Sequence, residues 1–273
     1  MTKEIFMTKD APAPFSVAEA LRGIPDSSRG EITNNPVPWI YSNDHEFANI
    51  MEQIVEAGKK SIPTGKPRIA ILSGTGSIFN VAAHMQADSI ISVDLNRFVM
   101  DQVQRSVENI QRSTTLKDFH YAERKEKLFS EMRAQGVDPE PYWDMERESF
   151  GQWHFTSSES AYRAARKKML ATPVFYSQGN FTHKPYVESL GKALAPAEIS
   201  YASFTDLAEW YPQFLDLVPL LGIADDAPIV WSTNNIEEKP IARVSIGTAA
   251  YIKDQREAMR GKKVTYFQKD IAL

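Results

Sequence analysis

The stretch Arg68-Ile69-Ala70-Ile71-Leu72-Ser73-Gly74-Thr75-Gly76 decides the fold. Four consecutive apolar residues ending in a glycine turn are too few for a helix, and they do not alternate as a half-exposed strand would. They read as a strand buried on both faces. A helix is expected over about 77 to 86, and Ile90-Ile91-Ser92-Val93-Asp94 then repeats the strand pattern. At Gly74 and Gly76 the missing side chains let backbone approach a ligand, while N–H groups of the following helix point at its polar groups. Asp94 ends the second strand about 20 residues later, the spacing at which a carboxylate accepts hydrogen bonds from ribose hydroxyls. A tight turn followed by an aspartate capping the next helix is the competing structural reading.

Outward from this unit the same texture recurs. Apolar runs at Val174-Phe175-Tyr176, Ile199-Ser200-Tyr201, Ile229-Val230-Trp231 and Val264-Thr265-Tyr266-Phe267 bring the strands to six, with helices expected at 184 to 194 and 206 to 221. Strands alternating with helices predict an α/β, Rossmann-like, doubly wound and mostly parallel sheet. Nearly eighty residues separate strands two and three, far more than a crossover needs. They predict a helical insertion at about 97 to 172, with helices over about 97–113, 115–135 and 158–170. Within it, Val137 to Phe155 holds Pro139, Pro141, Tyr142, Trp143 and Trp153 and reads as a loop, with Trp143 a candidate substrate wall. Upstream, an amphipathic helix is expected at about 44 to 59. Residues 1–43, rich in Pro, Gly, Ser and Asn, read as an irregular segment preceding a domain over 44–273.

Composition narrows the function. The 273 residues carry 31 basic and 35 acidic side chains, interspersed, for a net charge of −4. No basic field marks a nucleic-acid or anionic-lipid surface, so a small-molecule acceptor is expected, with no nucleic acid and no membrane partner. The chain has no cysteine, which removes disulfides and thiolate chemistry. Met1 to Phe15 lacks the apolar core of a signal peptide and no run is long enough to span a bilayer, so a cytoplasmic protein is expected. Five scattered histidines form no metal-ligand spacing, and neither a phosphate-binding P-loop nor a nucleophile elbow occurs. Composition leaves the oligomeric state open.

With the glycine turn and Asp94 in place, residues 44 to 273 resemble the class I S-adenosylmethionine-dependent methyltransferase superfamily. The resemblance implies that Ser73, Gly74, Thr75 and Gly76 pass the methionine moiety and that Asp94, with Leu95, holds the ribose. Strand three leads into Gln178-Gly179-Asn180-Phe181, which looks like the family's Gly-Asp turn with Asn in place of Asp. That implies adenine contacts from Asn180 and Phe181, the amide of Asn180 offering both donor and acceptor. Gly179-Asn180 is also an ordinary turn pair. Two departures stand out: Ser73 replaces the acid usual at the end of strand one, and Ile78 falls near the expected third glycine.

A fainter resemblance, through Val93-Asp94-Leu95-Asn96, the insertion and Ser203 to Trp210, is to a branch that transfers the 3-amino-3-carboxypropyl group of the same sulfonium. The acceptor side is expected at the C-terminal ends of strands four and five, where open α/β sheets place ligands. Ser203, Thr205 and Asp206 are the catalytic candidates there, and Asn234 and Asn235 candidate substrate contacts. Thr205-Asp206 also reads as a helix cap. Methyl transfer to a small acceptor leads. Aminocarboxypropyl transfer or cyclisation of the sulfonium, a nicotinamide-dependent oxidoreductase and a non-catalytic nucleotide-binding protein are the alternatives.

Overall fold

A computed structural model describes residues 15–33, 47–60, 65–73, 78–125, 130, 133, 134, 136, 138, 140–205, 212–234 and 242–258. The elements in chain order are α1 (Val17–Arg22), α2 (Phe47–Lys60), β1 (Arg68–Ser73), α3 (Ile78–Ala82), β2 (Ser89–Asp94), α4 (Arg97–Arg112) and α5 (Leu116–Lys125). They continue with α6 (Glu140–Phe150), α7 (Glu159–Ala171), β3 (Val174–Gln178), α8 (Lys184–Leu194), β4 (Glu198–Phe204), β5 (Pro228–Asn234), β6 (Ala242–Thr248) and α9 (Ala249–Ala258). No described helix is long and apolar enough to cross a membrane.

The six strands form one sheet in the order β3-β2-β1-β4-β5-β6. The first five run parallel, and β6 turns back antiparallel to β5. The sheet is thus Rossmann-like and mostly parallel, with the expected helical insertion between β2 and β3. Every residue of β1 is buried, as its unbroken apolar run requires.

Two cores flank the sheet. Ile69, Ile71, Ile91 and Val93 face α1, α8, α9 and the short 3-10 turns Pro212–Asp216 and Val218–Leu221. Ala70, Leu72, Ile90 and Tyr201 face α2 and the insertion helices. The described helices of the insertion therefore lie on one face.

Several expectations need correction. The loop expected over 137–155 contains α6 and a 3-10 turn at Gly151–Trp153. Pro141 sits in the first helical turn, where its missing N–H has no intrahelical partner to lose. Trp143, Glu146 and Phe150 then share the buried side at helical spacing. The irregular N-terminal stretch contains α1, capped by Ser16 accepting the Glu19 N–H. The helix expected over 206–221 gives way, among its described residues, to the two 3-10 turns. The strand expected at Val264–Phe267 lies outside the described residues. β6 was not foreseen, because Ala-Arg-Val-Ser-Ile-Gly-Thr lacks the apolar continuity of the central strands.

Gly179 is fixed by packing. A Cβ there would lie 2.2 Å from the Tyr186 ring, whose hydroxyl meets Ser177 Oγ at 2.9 Å. Gly179→Ala is expected to cost about 2–3 kcal/mol by overpacking. Urea denaturation checks it, and a loss under about 0.5 kcal/mol would show that the ring yields freely.

Candidate functional site

Strand order reverses between β1 and β4, so the crevice at the C-terminal ends of the strands is where an open α/β sheet offers a ligand site. Ser73 ends β1 there. It is buried, and its hydroxyl is shared between the carbonyls of Ser203 at 3.2 Å and Thr205 at 3.0 Å. Ser73 therefore ties β1 to β4 at the reversal point, a backbone task that a carboxylate, having no proton to donate, could not perform. Gly74, Thr75 and Gly76 lie outside the described residues, as does Asp206.

Asp94 ends β2 beside this tie. Burial pushes its pKa up from the ordinary carboxylate value to about 6, against the opposing effect of backbone N–H groups of Asn96 and Leu95. The Asn96 N–H donates to Oδ1 at 2.7 Å. Asn96 in turn caps α4, accepting the Phe98 N–H on its own Oδ1 at 3.0 Å. The cap that competed with ligand binding as a reading of Asp94 is thus supplied by Asn96. The pattern Asp-x-Asn before a helix was the signal for it.

The turn after β3 is braced from several sides. Gly179 N–H donates to the Asp94 carbonyl at 2.9 Å, and Asn180 N–H to the Arg29 carbonyl at 2.9 Å. Asn180 Oδ1 accepts both the N–H and the hydroxyl of Thr182, at 2.8 and 2.7 Å. The amide NH₂ of Asn180 is what remains for recognition. Phe181 is buried among Phe204, Phe214 and Tyr186, so its ring serves the core. Gln178, which the sequence reading gave no role, reaches the carbonyls of Leu95 and Thr33 at 3.2 and 3.3 Å.

Thr33 also bridges Asn96, and Arg29 Nη1 donates to the Gln178 carbonyl at 2.6 Å. The segment up to Thr33 is therefore stitched across the ends of β2 and β3. Nothing local in its sequence signals this, since its partners are far along the chain.

On the acceptor side Ser203 and Thr205 are both buried. Asn234 ends β5 and pairs with Ala242 of β6; Asn235 lies outside the described residues. Trp143 is buried in an aromatic cluster with Phe119, His120, His154 and Phe155, which places it in the packing of the insertion.

Beneath the crevice the hydroxyls of Ser92, Tyr201 and Ser203 are buried without hydrogen-bond partners. All three lie on the insertion side of the sheet. Burial pushes the Tyr201 pKa up, and the Ser203 hydroxyl, close enough to act on it but outside proper hydrogen-bond geometry, acts the other way. An unpaired buried hydroxyl costs about 1–3 kcal/mol, so Tyr201→Phe is expected to stabilise the free protein by about 1 kcal/mol. A thermal melt should rise by roughly 2–4 °C, and a fall would refute this.

Behind α3, the helix that follows the glycine turn, lies a second buried polar group. Glu146 Oε1 accepts the Asn80 amide at 2.9 Å and lies 3.5 Å from His154 Nε2. The Thr156 N–H points at His154 Nδ1 at 3.1 Å, so Nδ1 accepts and the ring proton sits on Nε2, facing Glu146. Asn80 Oδ1 takes the Phe155 N–H at 2.8 Å. The insertion is thereby bolted to α3.

No protein-family model matches the sequence, and no curated protein matches it closely enough to count as a relative. Among solved structures, two of the rRNA methyltransferase AviRa from Streptomyces viridochromogenes align with it at 11% identity. One covers 76% of this chain and 86% of AviRa with a TM-score of 0.42; the other covers 76% and 87% with 0.40. The finding corrects one expectation. The charge balance had excluded nucleic acid in favour of a small-molecule acceptor, whereas the aligned structures are of a protein that methylates rRNA. Net charge averages over the surface and cannot exclude a local contact, so that exclusion is withdrawn. In fold, the six-stranded, mostly parallel sheet is Rossmann-like.

Proposed function

We propose that this chain is a group transferase, in the first instance a methyltransferase, that uses S-adenosylmethionine, the nucleoside lying across the C-terminal ends of β1 and β2. The observation that carries the reading is Asp94. It is an acceptor-only side chain when ionised, largely withdrawn from water, and held by backbone N–H groups rather than by a cation. Such a carboxylate has lone pairs to offer, and the paired hydroxyls of a ribose supply the donors that relieve its burial.

The surroundings fit the rest of the nucleoside. The Asn180 amide offers an N–H donor beside the end of β3, and the Ser73 tie keeps β1 and β4 together at the strand reversal. When bound, the sulfonium supplies an activated alkyl group. The chain's part is alignment of donor and acceptor. Against a nicotinamide cofactor stands β6: a dinucleotide fold repeats its parallel βαβαβ half, whereas here the last described strand runs antiparallel.

Calorimetric titration with S-adenosylmethionine, S-adenosylhomocysteine, methylthioadenosine and NAD tests the proposal. Mass spectrometry of the nucleoside released in the presence of cell-derived RNA and metabolite fractions completes it. S-adenosylhomocysteine as product supports methyl transfer, and methylthioadenosine would move the chemistry to the aminocarboxypropyl group. Binding of NAD alone, or of no nucleoside, would overturn the reading.

A further inference from the structure

We propose that the cleft at the opposite end of the sheet binds an organic cation with an apolar body, an arylalkyl primary amine being a simple form. The cleft has a volume of about 560 Å³ and lies between α2 and the starts of β4 and β5 with the end of β6. That is the N-terminal edge of the parallel strands, away from Asp94. Its size falls in the range of about 300–1,000 Å³ typical of small-molecule sites.

The lining divides by polarity. Ile54, Met85, Tyr201 and Ile246 form a buried floor. Glu52, Glu56, Glu198 and Asp226 stand at the rim, and the described lining residues include no lysine or arginine. Lys59 engages Glu56 at 2.7 Å, and Lys253 pairs with Asp225, the neighbour of Asp226. Glu52 and Asp226, both exposed, are the rim carboxylates left to meet a ligand's charge.

The irregularity in the β1–β4 register, where Ile69 faces Ile199 but Ala70 faces Tyr201, leaves Ser200 as the extra residue, and Ser200 lines the recess. An ammonium head stays in water at the acidic rim while its carbon body displaces water from the floor. A carboxylate on the same body meets repulsion at that rim, and a polyamine leaves the floor wet.

The test titrates 2-phenylethylamine and 3-phenylpropionate separately into the ¹⁵N-labelled full chain and follows amide shifts. The amine is expected to shift the amides of residues 52–57, 226 and 227 saturably, and the carboxylate to bind about tenfold more weakly or worse. The double variant Glu52→Lys/Asp226→Lys changes only exposed side chains, so folding is preserved, and it should reverse that preference. Equal affinities, a preference unchanged in the double variant, no binding up to millimolar amine, or shifts confined to other residues would each overturn the proposal. No outcome bears on the nucleoside site, which these probes do not test.

Discussion

Asp94→Asn is expected to make the protein more stable at pH 8 and about 100-fold or more weaker for the nucleoside. The two effects share one cause. Asp94 titrates near pH 6 in the folded chain against 3.8 as its ordinary value. Because the folded pKa is the higher one, the folded state binds the proton more tightly. The stabilising effect of that proton is complete below about pH 4, declines as pH rises toward 6, and is absent above it.

Asparagine removes the charge that burial penalises. The raw shift corresponds to on the order of 3 kcal/mol, and burying the new NH₂ reduces the expected gain to about 1–2 kcal/mol. Urea denaturation at pH 8 and pH 4 checks the sign: a gain at the higher pH that vanishes at the lower. Binding moves the other way, because hydrogen bonds to a charged acceptor contribute about 1.5–3 kcal/mol each and ribose offers two. In the unaltered protein, nucleoside affinity should hold steady above pH 6 and fall below it. Tight binding by the variant would show that the ribose lies elsewhere.

Glu146→Ala is expected to lower stability by about 3 kcal/mol, or roughly 6–12 °C in melting temperature. Glu146 is buried, and its Oε1 is the acceptor that Asn80 and the Nε2 side of His154 share. Truncation removes that acceptor and opens a void between α6 and α3. Glu146→Gln keeps an acceptor oxygen at the same reach and should lose only about 1 kcal/mol. Equal losses for the two variants would mean that packing, not the shared acceptor, holds the insertion to α3.

Much of the scaffold was legible because parallel strands buried on both faces must be continuously apolar. β1 and β2 announce themselves in this way, and shorter apolar runs mark β4, β5 and the half-buried edge strand β3. β6 does not, since an edge strand tolerates Ser245 and Gly247, and its place was assigned to a later apolar run. α6 was hidden by Pro141, a residue that breaks helices except in the first turn, the position it occupies.

At the candidate site, the place of Asp94 at the end of β2 was legible from the apolar run before it. The Ser73 tie was not, because its partners lie 130 and 132 residues along the chain. Asn180 and Phe181 have neighbours that their own sequence did not show. Thr182 takes the side-chain oxygen of Asn180, and the aromatic core takes the ring of Phe181.

The seating of β3 beside β2 carries a consequence for how the chain assembles. The two strands pair from Ile90 with Val174 to Asp94 with Gln178, yet the whole insertion separates them in sequence. Closing so long a loop costs only about 1–2 kcal/mol more than closing a minimal crossover, because the penalty grows with the logarithm of length. The equilibrium therefore tolerates the insertion easily, and its burden falls on the folding rate. Helices between the two strands are local and form early, whereas the β2–β3 pairing is a distant contact that raises the contact order. During synthesis, β1 and β2 emerge first and must keep an unpaired edge until the last turn of α7 delivers its partner. The segment ending at Thr33, made before either strand, reaches its hydrogen bonds to Gln178 only after β3 arrives.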